Sequence, residues 1–187
     1  MVSFAVIGIG MWEALKAILA SPFKDWSIWW LLAPVFILWI FMELYFGKFK
    51  KEKLGWNTSL ANGISLSWIG VESMRFLFSN KPDPFWLRFI VISLIILYGL
   101  VIFFLAFNHK VPGKIEYLLA SPTPVYYLSA VTVLWGFGVL ILTWWVLLDL
   151  ILLFGVFLGL FTLLKKAMPE AEGESEEPST DTDDFKL

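Results

Sequence analysis

The chain has no cysteine, a single histidine (His109), and only 16% charged residues in a length of 187. Without cysteine there is no disulfide, thiolate metal ligand or cysteine nucleophile, and one histidine cannot supply a histidine cluster or paired haem ligands. Also missing are an HExxH metal motif, a serine nucleophile motif with a matched histidine, the paired carboxylates of membrane aspartyl proteases and a phosphate-cradling glycine loop. The sequence therefore predicts a non-enzymatic protein with no cofactor and no metal site. Acid–base chemistry at a lone carboxylate such as Glu72 or Asp149 stays open, but nothing indicates a substrate.

What is abundant is apolar surface. With 59% hydrophobic and 18% aromatic residues, a water-soluble domain of this size would carry far too much exposed hydrocarbon. Phe85 to Phe107 contains one charge, Arg88; as a helix it extends about 34 Å, against a bilayer hydrocarbon core of about 30 Å. The expected fold class is all-α: a polytopic transmembrane helical bundle in the cell membrane. About five spans are expected, at 28–46, 58–78, 85–107, 125–145 and 148–164, with four to six compatible with the pattern. Together with the N-terminal segment they form a membrane domain over 1–167.

Ser3 to Ala20 reads as a helix whose Glu13 and Lys16 share a face and which ends at Ser21-Pro22, the pattern of an interfacial or partly inserted helix. The start Met1-Val2-Ser3-Phe4 lacks the basic residue of a cleavable signal peptide. Trp26, Trp29 and Trp30 cluster where the first span would meet the headgroups, and Pro34 lies within its first two turns. Val125 to Leu164 would be about 60 Å long as one helix, twice the hydrocarbon thickness, which favours two spans turning near Trp144 and Trp145. Against this, Thr143 to Leu148 contains no Gly, Pro or Asn to make the turn, so one long tilted helix is the rival.

Charge orients the bundle. The connector 47–56 carries Lys48, Lys50, Lys51 and Lys53, whereas Ser79 to Pro84 carries only Lys81 beside Asp83. Lysine-rich connectors stay inside, so 47–56 is expected to be cytoplasmic, with Lys110, Lys114, Lys165 and Lys166 on the same side. The segment 168–187 reads as a disordered acidic tail, also cytoplasmic: from Glu170 onward it holds eight acids and one lysine and too little apolar area to offset its ordering entropy.

The second span is the least lipid-like. Thr58, Asn62, Ser65 and Glu72 recur at helical spacing, with Arg75 three residues beyond Glu72. These residues and Asp149 are the candidates for a polar transport path, since polar groups within a span face the bundle interior or a hydrated cavity. The competing role is packing: Asn62 and Ser65 as interhelical glue, Ser59 and Gly63 as a close-approach pair, and Gly155 with Gly159 as a GxxxG step for association. Ile18-Leu19-Ala20-Ser21-Pro22 and Leu118-Leu119-Ala120-Ser121-Pro122 resemble each other and are three spans apart, the arithmetic of an inverted repeat if the similarity is more than chance.

The stretch from Glu43-Leu44-Tyr45-Phe46-Gly47 through Lys50-Lys51-Glu52-Lys53-Leu54-Gly55-Trp56-Asn57-Thr58-Ser59-Leu60-Ala61-Asn62 resembles a segment of uncharacterised archaeal multi-span membrane proteins. The resemblance covers about the first two spans and implies a prokaryotic cell membrane, with no activity and no functional residue attached. Two functions are compatible with the pattern. One is a small transporter or channel-like protein moving an ion or small solute along the second span. The other is a non-catalytic scaffold or assembly subunit binding other membrane proteins. The expected partners are the lipid bilayer and a second copy or another membrane protein, and no nucleic acid.

Overall fold

The computed structural model describes residues 4–50, 54–109 and 112–169, and every regular element among them is helical. The helices are α1 (Phe4–Ala20), α2 (Trp29–Lys48), α3 (Trp56–Asn80), α4 (Phe85–Phe107), α5 (Gly113–Ala120), α6 (Pro122–Gly136) and α7 (Trp144–Ala167). The acidic tail expected over 168–187 lies, from residue 170 onward, outside the described residues.

Among the described residues, five segments are long and apolar enough to cross a membrane: Val6–Phe23, Trp26–Lys48, Phe85–Phe107, Gly113–Gly136 and Trp144–Ala167. The N-terminal helix belongs to this set by length and composition. Helix α3 reaches spanning length with 25 residues but is diluted by its amides, hydroxyls and the Glu72–Arg75 pair. Trp26, Trp30, Trp86 and Trp144 are at least 70% exposed. All four sit at the starts of α2, α4 and α7, where they form an aromatic girdle at one end of the bundle.

The stretch 125–164 is two helices, but the break is not at Trp144 and Trp145. Helix α6 stops at Gly136, and the connector 137–143 turns through Gly138 at φ +75°, a conformation available to glycine without a Cβ penalty. Thr143 then caps α7, its hydroxyl oxygen accepting from the Val146 N–H at 3.3 Å. Trp144 and Trp145 are therefore the first turn of α7, so the fourth span ends, and the fifth begins, earlier than expected. A second break divides the fourth span. Ser121 is extended (φ −62°, ψ 149°), α5 ends before it, and Pro122 opens α6, where a missing N–H costs no helical bond.

Side-chain contacts give the relative directions. Glu43 meets Thr123 while Lys24 donates to the Val139 carbonyl, so α2 and α6 are antiparallel. Asn62 bonds Tyr126 and Ser73 abuts Gly136, so α3 runs parallel to α6. Trp39 packs on Phe157 and Glu43 pairs with Lys165, so α7 runs parallel to α2. Helices α2 and α3 are joined by seven residues, as are α6 and α7, and the helices that follow have 25 and 24 residues. Each pair thus lays its second helix along the first helix of the other pair, with α2 and α6 crossing at the centre. This is an inverted arrangement. The two Ala-Ser-Pro copies fall at matching places within it: Ser21-Pro22 follows α1 and precedes α2, and Ser121-Pro122 follows α5 and opens α6, the first helix of each pair.

Between lipid-facing helices there is little hydrophobic driving force, so close contact depends on small residues and interhelical bonds. Helices α3 and α4 form the tightest such contact. A Cβ placed on Gly99 would lie 2.7 Å from the Gly63 carbonyl, and the Ser67 hydroxyl donates to that same carbonyl at 2.9 Å. Gly155 and Gly159, by contrast, have no neighbour within 4 Å of such a Cβ among the described residues and are exposed. Gly99→Leu is expected to lower stability by about 1–3 kcal/mol through overpacking, whereas Gly159→Leu should stay within about 0.5 kcal/mol. Thermal unfolding in detergent would check this, and equal melting temperatures for the two variants would refute the close approach.

Candidate functional site

The break between α5 and α6 creates a polar site in an otherwise apolar bundle. A helix that ends inside a membrane leaves carbonyls without partners, and each must find a donor. Here Asn62 Nδ2 donates to the Ala120 carbonyl at 2.8 Å and the Tyr98 hydroxyl to the Leu119 carbonyl at 2.6 Å. Tyr126, from the first turns of α6, donates to Asn62 Oδ1 at 3.0 Å and fixes the amide orientation. Ser59 reaches Glu116 of α5 at 2.6 Å, with both side chains buried. The buried face of α3 is thus the brace that holds the broken span.

On the other side of the break lies the start of α6, Pro122-Thr123-Pro124, in which two of the first three residues have no N–H to offer. The Thr123 hydroxyl donates to Glu43 Oε1, and Trp39 Nε1 donates to the same hydroxyl at 3.3 Å. Lys165 Nζ pairs with Glu43 Oε2. Glu43 is 1% exposed; its charge is balanced by the lysine and by the positive end of the α6 dipole. Trp39 is walled by Phe157, Phe161 and Tyr127, at centroid separations of 5.1, 5.5 and 6.0 Å. A cavity of about 350 Å³ opens beside this group, bordered by Glu43, Thr123, Lys165, Ser121, Tyr117 and Phe154.

The six polar-path candidates do not converge on one route. Asn62 is buried in the brace. Thr58 is part of a groove of about 600 Å³ near Trp56 and His109, whose rings stack at 4.6 Å. Ser65 is half-buried on a neighbouring face of α3. Glu72 and Arg75 pair at 2.7 Å on the periphery, with Arg75 73% exposed. Asp149 lies in the second turn of α7, facing α1. Of the packing candidates, Gly63 meets α4, Ser59 serves as a hydrogen-bonding residue, and Gly155 and Gly159 touch nothing within the described residues.

Sequence reading missed Glu43, Thr123, Lys165 and Glu116 as site residues. Glu43 looks like an end-of-span acid within reach of the connector lysines, yet its partner is Lys165, more than a hundred positions away. The available signal was Ser-Pro-Thr-Pro inside an apolar stretch, the mark of an interrupted membrane helix. At the opposite end, Arg88 is 3% exposed; its Nε donates to the Asp83 carbonyl at 3.0 Å and its guanidinium lies 5.2 Å from the Trp135 ring. Among the described residues no three His, Cys, Asp or Glu side chains gather to hold a metal ion.

Lys165→Met strands the Glu43 carboxylate and is expected to destabilise the protein by roughly 2–3 kcal/mol, less than a fully buried pair because the lysine is partly exposed. Adding Glu43→Gln should recover most of that loss, and a double-mutant cycle of unfolding midpoints reads the coupling. Additive effects would mean the pair is not coupled. No protein-family model, curated protein or solved structure matches this chain.

Proposed function

We propose that this integral membrane protein is a small transporter or channel-like protein, and that the moved ion or small solute engages Glu43, Thr123 and Lys165 at the α5–α6 break. The observation that carries the reading is the buried Glu43 carboxylate of α2 held against the interruption of the fourth span, beside a cavity and between two inversely arranged helix pairs. Interrupted helices at the interface of inverted units are where secondary transporters hold their cargo. The pair also offers two states. When Glu43 binds a proton or a cation, Lys165 loses its counter-ion and is free to turn toward the exposed end; when the cargo leaves, the pair closes.

Orientation follows the lysines. Lys48, Lys50, Lys114, Lys165 and Lys166 lie at the end of the bundle opposite the tryptophan girdle, with Lys50 Nζ donating to the Met168 carbonyl at 2.9 Å. The proposal puts that end, including the connector 47–56 and the C-terminal segment, in the cytoplasm.

The test is ion flux in liposomes reconstituted with the full chain. A trapped pH-sensitive dye, with a potassium gradient and valinomycin to set the potential, would report proton movement; sodium and potassium fluxes would be read separately. Glu43→Gln is expected to lower flux at least tenfold with the protein still folded, and Glu72→Gln to leave it within twofold. Flux unaffected by Glu43→Gln, or lost equally in both variants, would overturn the assignment. One observation favours a second reading, an assembly subunit: the Gly155–Gly159 step of α7 is open to lipid and suited to a helix from another chain. That reading expects a stably co-purifying membrane protein, displaced when both glycines are replaced by leucine; isolation of the unaltered chain alone under mild extraction would count against it.

A further inference from the structure

Asp149 is the one acidic side chain on the lipid-embedded part of α7, and the proposed transport mechanism does not use it. It is 5% exposed, and its Oδ2 has no hydrogen-bond partner. It borders an open, lipid-facing groove of about 330 Å³ between α7 and α1, whose other walls are apolar or aromatic, among them Met11, Trp12, Leu15, Leu152 and Val156, with Trp12, Leu152 and Val156 each more than half exposed. No lysine, arginine or histidine lines this space. The nearest base in sequence on α1, Lys16, is committed to Glu13 at 2.6 Å on the exposed face, where its ammonium lies 5.8 Å from the Trp12 ring.

A buried carboxylate without a partner is costly, and apolar walls deepen the cost. Neutralisation by a cation that itself has an apolar body satisfies both the carboxylate and the hydrocarbon around it. The volume falls in the range of small-molecule sites, with one charge to fix orientation and the rest of the lining greasy. A bare metal ion is a poor match, because a single carboxylate among hydrocarbon cannot replace its hydration shell.

We propose that the α1–α7 groove is a binding site for a small hydrophobic primary amine in its ammonium form, with Asp149 as the counter-ion and the Trp12, Leu152 and Val156 walls taking the apolar body. This site is separate from Glu43 and does not depend on the transport reading. The test is equilibrium binding of radiolabelled 2-phenylethylamine to the full chain in lipid nanodiscs, with empty nanodiscs subtracted. Saturable binding is expected, weakened at least tenfold by Asp149→Asn and competed poorly by the neutral isostere 2-phenylethanol. Leu152→Trp fills the groove while leaving the carboxylate in place, and it too should weaken binding at least tenfold, so the proposal stays testable if the asparagine variant does not fold. Glu43→Gln should leave the affinity within twofold, which separates failure here from failure of the transport assignment. Equal binding of amine and alcohol, unchanged affinity in either groove variant, or loss only in Glu43→Gln would each overturn it.

Discussion

Backbone polar groups in lipid must be bonded within the protein, and the α5–α6 break is where this chain meets that constraint most severely. An uninterrupted helix satisfies itself, but one that stops at Ala120 and restarts at Pro122 exposes carbonyls on one side and a helix start on the other. Helices α3 and α4 supply donors to the carbonyls through Asn62 and Tyr98, while α2 and α7 surround the start of α6 with Glu43 and Lys165. Seven polar side chains, Glu43, Ser59, Asn62, Tyr98, Glu116, Thr123 and Lys165, thus gather at one place. They are arranged around one interruption, and that interruption needs helices from both halves of the chain.

The same constraint explains the divided fate of the polar face expected on the second span. Amide and hydroxyl groups at helical spacing do face inward, as Ser59 and Asn62 do, because lipid offers them nothing. Their partners are carbonyl and carboxylate groups of α5, so Asn62 of the expected face, with the packing candidate Ser59 beside it, braces the broken span. Glu72 and Arg75, further along, neutralise each other where Arg75 is exposed. A periodic stripe identifies which groups turn inward; it does not say whether what meets them is protein or water.

Much of the architecture was legible in the sequence, and for a definite reason. The all-helical membrane class and the approximate spans follow from the length of apolar runs, a property of consecutive residues. The break within 125–164 was expected, but its position depended on Gly138 adopting a positive φ and on Thr143 capping α7, whereas the tryptophans drew attention a turn too late. The Glu43–Lys165 pair was illegible because it joins residues 122 positions apart, a proximity that requires the parallel packing of α2 and α7. The Glu13–Lys16 pair suggests an interfacial or partly inserted helix for α1, whereas its length and mean hydropathy are also those of a span.

The Gly63–Gly99 contact has a mechanical implication. Two helices whose backbones touch, and which are further tied through Ser67, move as a single strut. Across α2, α6 and α7 the aromatic rings around Trp39 are joined by polar bonds, Glu43 to Thr123 and Lys165 and the Tyr127 hydroxyl to the Leu150 carbonyl. Shifting α2, α6 and α7 against one another would break the Glu43 bonds as well as slide the rings, whereas α3 and α4 are held backbone to backbone and would have to travel together.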